Sequence, residues 1–306
     1  MPSSEQYRAE FDATVAFANG GSLQVTGFRV DVPGPDVTLE QVATLFVTSL
    51  GLLMSERVEI AGLRVFVEAH KGTRGGPSDA AAARATAAGR LVELSHVIRP
   101  GLTTYPGLPA PTIEAHLTRE ASRANYGPGT EFAIDRISLV GNTGTYLDTP
   151  YHRYADGFDL SGLPLRSVAN LPTVVVRTAG SGVRGVDLGA LAPFEVEGRA
   201  VLLHTGGDEH FGTPRYAEDA PFLTADGARW LVDHGAALVG IDSVNIDDTT
   251  DSLRPAHTVL LGAGVPVVEH LTGLGQLPPH GARFTAAPPL LAQFGTFPVR
   301  AFAIVP

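Results

Sequence analysis

Gly141-Asn142-Thr143-Gly144-Thr145-Tyr146-Leu147-Asp148-Thr149-Pro150-Tyr151-His152 is the stretch on which the reading of this chain turns. It follows an apolar run, Phe132 to Val140, that alternates like a strand, and it passes into a turn-rich piece, Arg153 to Gly157. Two glycines, a short hydroxyl-bearing linker, then Asp and His four apart predict irregular backbone that leaves a strand to present polar groups. Loops leaving a rigid scaffold are where catalytic groups concentrate. His257 and Glu269, twelve apart and about a hundred residues later, hold the remaining chemistry.

Composition narrows the class. At 306 residues, with 44% apolar and 18% charged side chains, the chain suits one large soluble domain or two modest ones. It has no cysteine, which excludes disulfides, thiolate zinc sites and cysteine nucleophiles. A metal would need His, Asp, Glu or water as ligands, which suits Zn, Mn, Fe or Mg. The net charge of −10 carries no basic stripe, so nucleic acid is not an expected partner. Met1 to Glu10 lacks an apolar signal core, and Val42 to Met54 is too interrupted for a membrane span. The expectation is a cytoplasmic protein, without membrane contact, acting on a small molecule.

Three segments follow from patterning. Residues 1–70 read as a small α/β accessory domain: strands at Phe11 to Ala18 and Leu23 to Val32 about an Asn19-Gly20-Gly21 turn, a helix from Leu39 to Met54, and a strand from Val58 to Glu68. Thr38 with Gln41 predicts a capping box at the helix start. Residues 71–90 are a Gly/Ala-rich linker. Residues 91–306 mix short apolar strands (Val174 to Arg177, Ala200 to His204, Ala237 to Ile241) with a helix capped by Thr224, an α/β pattern. Val259 to Leu261 and Val265 to Glu269 flank a Gly262-Ala263-Gly264 turn, and Pro298 to Ala303 read as a terminal strand.

From Leu91 onward the chain resembles the cyclase family that takes in bacterial kynurenine formamidases (arylformamidases) and isatin hydrolases. That family's signature runs H-x-G-T-H-x-D-x-P-x-H. Here Gly144, Thr145, Asp148, Pro150 and His152 match, while Asn142 and Tyr146 replace the first two histidines. The resemblance implies a swivelling β/β/α domain, a homo-oligomer, and Asp148, His257 and Glu269 as ligands of one divalent ion, Zn or Mn. It implies His152 as the general acid/base. An imidazole titrates near neutral pH and can move a proton between water and a leaving group.

The expected reaction is hydrolysis or ring closure at an amide, lactone or cyclic amide carbonyl through metal-bound water. Two alternatives stand beside it: a metal-free cyclase or dehydratase using Tyr146 and His152, and a non-catalytic binding protein that keeps the fold. Asn142, Tyr151 and His204 are candidate substrate contacts. Phe132, Tyr151, Tyr154 and Phe211 could form an aromatic wall. A strand-end carboxylate, Asp242, could hydrogen-bond a ligand histidine. No G-x-S-x-G or phosphate-binding glycine loop is present.

Overall fold

A computed structural model describes residues 7–52, 55–68 and 89–306. Two compact units divide the chain, Met1–Gly89 and Arg90–Pro306. Residues 71–88 of the expected linker lie outside the described residues.

In the first unit, β1 (Tyr7–Phe17), β2 (Ser22–Val32) and β3 (Ser55–Val67) form an antiparallel sheet in the order β2-β1-β3. Gly20 turns the first hairpin at φ +82°. Alternation drives Ala9, Phe11, Ala13 and Val15 into the core, beneath a helix from Leu39 to Leu50. The Thr38–Gln41 capping box forms, with reciprocal bonds of 3.2 and 2.9 Å. This helix stops short of Met54 because Gly51 takes the left-handed conformation, φ +61°. Val42 and Phe46 are its wholly buried residues, and Phe46 meets Phe11 edge-on at 5.5 Å. Burying each such side chain is worth about 1.5–3 kcal/mol.

The second unit is built on a nine-stranded sheet. Its strands are β4 (Arg90–Glu93), β7 (Tyr146–Asp148), β8 (Leu171–Arg177), β10 (Ala200–His204), β12 (Leu238–Ile241), β13 (Val267–Glu269), β14 (His280–Thr285), β15 (Thr296–Pro298) and β16 (Phe302–Val305). Their order is β15-β7-β13-β12-β10-β8-β14-β16-β4. Outside this sheet β9 (Gly185–Val186) and β11 (Phe222–Leu223) pair in parallel. The run from β13 to β8 is parallel; both flanks are antiparallel. Helices Ala225–Asp233 and Pro255–Gly262 make the connections β10 to β12 and β12 to β13.

The strands' two-residue period sorts their side chains into two cores. Val174, Val176, Val201, Leu203, Val239, Ile241 and Val267 pack on the helix side with Leu231 and Leu260. Val175, Leu202, Leu238, Val268 and Leu147 face the other way, with Phe284 and Leu94. Burial on both faces explains why these strands read as unbroken apolar runs. The domain is mixed α/β, and no helix of the described residues is long and apolar enough to cross a membrane.

Val259 to Leu261, which flank the glycine turn, belong to the helix Pro255–Gly262; a three-residue apolar run does not by itself distinguish helix from strand. Two local expectations differ from the structure. The terminal strand is two strands, β15 ending at Pro298 and β16 starting at Phe302. The run before the organising stretch is strand only over β6 (Ile134–Ser138). β6 pairs with β5 (Thr112–Leu117) as a separate two-stranded arm, and every residue of β6 is exposed.

Candidate metal centre

Register brings the polar groups together. β7 lies between β13 and β15, so Asp148 faces Thr296 across one edge while Tyr146 faces Glu269 across the other. Tyr146 and Asp148, two apart, share a face; Leu147 between them points into the core. His257 arrives from the first turn of the helix Pro255–Gly262. That helix has no side-chain cap of its own at Arg254. Asp247, from the loop after β12, supplies one: its Oδ1 accepts the Ala256 N–H at 2.5 Å and its Oδ2 the His257 N–H at 3.2 Å.

Asp247 Oδ2 also lies 2.7 Å from His257 Nδ1. This turns Nε2 toward Asp148 Oδ2 and Glu269 Oε1, each 3.6 Å away. His257 Nε2 and Asp148 Oδ2 are buried without a hydrogen-bond partner. The other oxygens are engaged: Asp148 Oδ1 by the Thr296 hydroxyl, Glu269 Oε1 by the Ile246 N–H at 2.6 Å, and Glu269 Oε2 by the Tyr146 hydroxyl at 2.6 Å. His152 Nδ1 sits 2.8 Å from Thr296 Oγ1 and 3.8 Å from Asp148 Oδ1. Asp148, His152 and His257 each offer a ligand atom within 4.8 Å of the others.

The electrostatics match this geometry. Burial alone would raise the Asp148 carboxyl, but the His152 and His257 imidazoles and the Thr296 hydrogen bond outweigh it and hold the group below the usual range. Burial opposes charge on His257, yet Glu269, Asp148 and Asp247 together push its pKa up to about 10. Burial raises Glu269 to about 7, against the pull of His257. Three buried carboxylates around one imidazole form a site with surplus negative charge. Orphaned N and O donors facing one another, with the second imidazole nitrogen held by a carboxylate, fit a borderline or hard divalent cation.

A family model described as "Putative cyclase" matches residues 92–248, just over half of the chain. The chain belongs to this cyclase family. A kynurenine formamidase of Bacillus cytotoxicus is 25% identical to it over 215 residues, which cover 70% of this chain and 97% of that relative. One from Geobacillus thermodenitrificans is 27% identical over 181 residues, 59% of this chain and 84% of the relative. Isatin hydrolase A from Ralstonia solanacearum shares the fold, with a TM-score of 0.63 at 23% identity over 74% of this chain and 95% of the other. A structure described as a potential metal-dependent hydrolase with cyclase activity aligns at a TM-score of 0.58 and 24% identity, over 70% of this chain and 96% of its own.

Against the family signature, the two departures sit together. Tyr146 is 2% exposed. Its hydroxyl donates to Glu269 Oε2, and the Asn142 side chain donates to the Tyr146 oxygen. Burial, then the Glu269 and Asp148 charges, hold the phenol well above its ordinary pKa. Tyr151 is half-exposed on the short turn Pro150–His152, beside His152. His204 ends β10 two strands from β13; among the described residues, no hydrogen bond or ring contact joins it to Asp148, His257 or Glu269.

The four aromatics do not make one wall. Phe132 meets Tyr126 in the connection between β5 and β6, Phe211 stacks on His96 at 3.5 Å, and the Tyr154 hydroxyl donates to the Thr258 carbonyl at 2.8 Å. Asp242 does not hold a ligand histidine: it takes the Thr205 and Gly206 N–H groups at 2.8 and 3.1 Å and ties down the turn after β10. Asp247, five residues on, takes the part expected of Asp242. Thr296 and His270 had no signal in the sequence, because neither stands at a spacing from Asp148 that a local pattern can carry.

Proposed function

We propose that this chain hydrolyses an amide, formamide or lactone carbonyl of a small molecule, with one divalent ion, Zn or Mn, held by Asp148, His257 and Glu269. The observation that carries the reading is the facing pair of orphaned buried atoms, His257 Nε2 and Asp148 Oδ2, 3.6 Å apart. Glu269 Oε1 stands at the same distance from that nitrogen. The names of the family relatives, kynurenine formamidase above all, support an N-formyl or cyclic amide as the substrate class. When bound, the ion would polarise a carbonyl oxygen and lower the pKa of water.

The chain's own residues set up the proton transfer. The Thr296 hydroxyl hydrogen is committed to Asp148, so its oxygen accepts from His152 and the His152 proton resides on Nδ1. His152 Nε2 is then a bare acceptor on a side chain that is 36% exposed. It takes a proton from the attacking water and returns it to the departing nitrogen or oxygen. Tyr151, next to it and half-exposed, offers a face to a flat substrate. Tyr146 is read as a positioning group, since its hydroxyl is already engaged.

The same reading takes the chain as a homo-oligomer. The β5–β6 arm exposes Ile113, Ile134 and Ile137, with Phe132 beside them. A two-stranded ribbon is marginal in water by itself, and burying these side chains against a second copy would stabilise it.

Elemental analysis of untagged protein, beside His257→Ala, tests the site, and a panel of aryl formamides, cyclic imides and lactones tests the chemistry. About one equivalent of Zn or Mn that the variant loses, with turnover of a panel member, is the expected result. Protein grown with both metals that binds neither would overturn the reading and leave a protonated His257 as the cation between the carboxylates.

A further inference from the structure

Behind Tyr146 runs a buried chain of side chains that the proposed chemistry does not use. The Tyr146 hydroxyl donates to Glu269 Oε2 at 2.6 Å and lies 3.2 Å from His270 Nε2. His270 Nδ1 lies 2.9 Å from the Tyr216 hydroxyl. Exposure along the chain is 2% for Tyr146, 0% for His270 and 5% for Tyr216. None of these contacts is local in sequence. Tyr216 comes from the turn Pro214–Ala217, His270 follows β13, and Tyr146 begins β7.

Counting hydrogens sets the direction of the chain. A phenol carries one hydrogen, and that of Tyr146 is on Glu269 when Glu269 is a carboxylate ligand. The His270–Tyr146 contact therefore needs the imidazole hydrogen on Nε2. Nδ1 is then bare and accepts from Tyr216. Tyr216 to His270 to Tyr146 to Glu269 is a single run of donors, and every member has its partner. The result falls unequally on the two oxygens of Glu269. Oε2 is covered by the phenol, whereas Oε1, which accepts the Ile246 N–H at 2.6 Å with one lone pair, turns its other lone pair to the side of His257 Nε2, 3.6 Å away.

We propose that His270 and Tyr216 are positioning residues that lock the Tyr146 hydroxyl onto Glu269 Oε2, so that Glu269 offers Oε1 alone and the site takes a single divalent ion. This rests on the cation site read above. A phenol O–H occupies the space on Oε2 that a second cation would need, and it is itself held from behind. Asp148 is divided in the same way, Oδ1 to Thr296 and Oδ2 toward His257. The two carboxylates thus present one oxygen each toward the same imidazole nitrogen.

The test is a titration of chelator-stripped full-length protein with Zn²⁺ or Mn²⁺ against a chromogenic competitor. ¹⁵N-detected histidine spectra of the same stripped protein accompany it. The wild type takes one equivalent, and His270 shows the Nε2–H tautomer. His270→Leu weakens ion binding about 10–100-fold, the usual cost of losing an outer hydrogen-bond partner. His270→Gln, whose amide can donate from near the Nε2 position, restores most of it. Tyr216→Phe keeps the ring and weakens binding in the same direction, which keeps the test decisive if His270→Leu fails to fold.

Two equivalents in the wild type, an Nδ1–H tautomer, or unchanged affinity in Tyr216→Phe would each overturn the proposal. Wild-type protein that binds no ion overturns the hydrolase reading and the single-ion claim together. An Nε2–H tautomer in that protein would still establish the donor run as a structural feature.

Discussion

Replacing Asp247 with asparagine exchanges one carboxylate oxygen for an amide nitrogen at the point where His257 is oriented. In the native protein Oδ1 accepts the Ala256 N–H at 2.5 Å, while Oδ2 faces the His257 ring nitrogen Nδ1 at 2.7 Å. The asparagine carbonyl can keep the shorter Ala256 bond, so the start of the helix Pro255–Gly262 retains that half of its cap and loses the 3.2 Å bond from the His257 N–H. The amide NH₂ then faces Nδ1 and needs an acceptor there. The imidazole satisfies it by moving its hydrogen to Nε2, the atom turned toward Asp148 and Glu269. An N–H now points where a cation needs a lone pair. Loss of such an orienting carboxylate costs about 10–100-fold in metal affinity, or about 1.4–2.7 kcal/mol.

Alanine at the same position removes the cap as well, for about 1 kcal/mol of stability. The two variants therefore separate orientation from capping. The assay pairs competitive Zn²⁺ titration with urea unfolding of the metal-free protein. For Asp247→Asn, affinity falls while the unfolding midpoint drops less than in Asp247→Ala, where both halves of the cap are gone and affinity falls as well. An asparagine variant that binds zinc like the wild type would refute the reasoning, because the tautomer of His257 would then not control the site.

Three further outcomes follow from the same geometry. His152→Gln keeps the metal content and lowers kcat about 10²–10⁴-fold, the usual worth of a general acid/base; full turnover would remove His152 from the chemistry. From about pH 6.5 to about 10 metal-free protein loses stability as pH rises, since Glu269 (4.5 raised to about 7) and His257 (6.5 raised to about 10) both hold protons more tightly when folded; below about 6.5 the buried His96 and His270, lowered to about 4 and about 3, oppose that slope. Below their unfolded values the contribution of Glu269 and His257 is complete. Bound metal, which requires neutral His257, should flatten the slope, and urea midpoints at pH 7, 8 and 9 with and without zinc check both signs. Gly144→Ala places a Cβ 2.9 Å from Ile98 Cγ1 on a backbone at φ +67°, and should cost about 1–3 kcal/mol in thermal unfolding; a neutral variant would mean the turn before β7 is free to relax.

The sequence carried what is local or periodic. The Thr38–Gln41 box and the Thr224 cap depend on neighbours three residues away, and the apolar runs of β8, β10 and β12 announce strands buried on both faces. Asp148 and His152 stand out because they share one short turn-rich stretch, and His257 and Glu269 because a family pattern spans the gap between them. Length and patterning also separate a first unit from a second, and the contacts divide the chain at Gly89. Where the pattern was too short, at Val259 to Leu261, helix and strand could not be told apart.

Tertiary structure alone decided the partners. Thr296 reaches Asp148 because β15 pairs with β7 in one register, and a slip of one residue would turn it to the other face. The choice of Asp247 over Asp242 as the holder of His257 depends on how the loop after β12 meets a helix start, and no spacing encodes that. Tyr146 reads in sequence as a missing histidine. In the fold it is the cross-strand neighbour of Glu269, backed by His270 and Tyr216 from distant segments. Hydrogen bonds between side chains act over about 3 Å of space whatever the separation along the chain. Strand register, which sets that space, is a property of the assembled sheet.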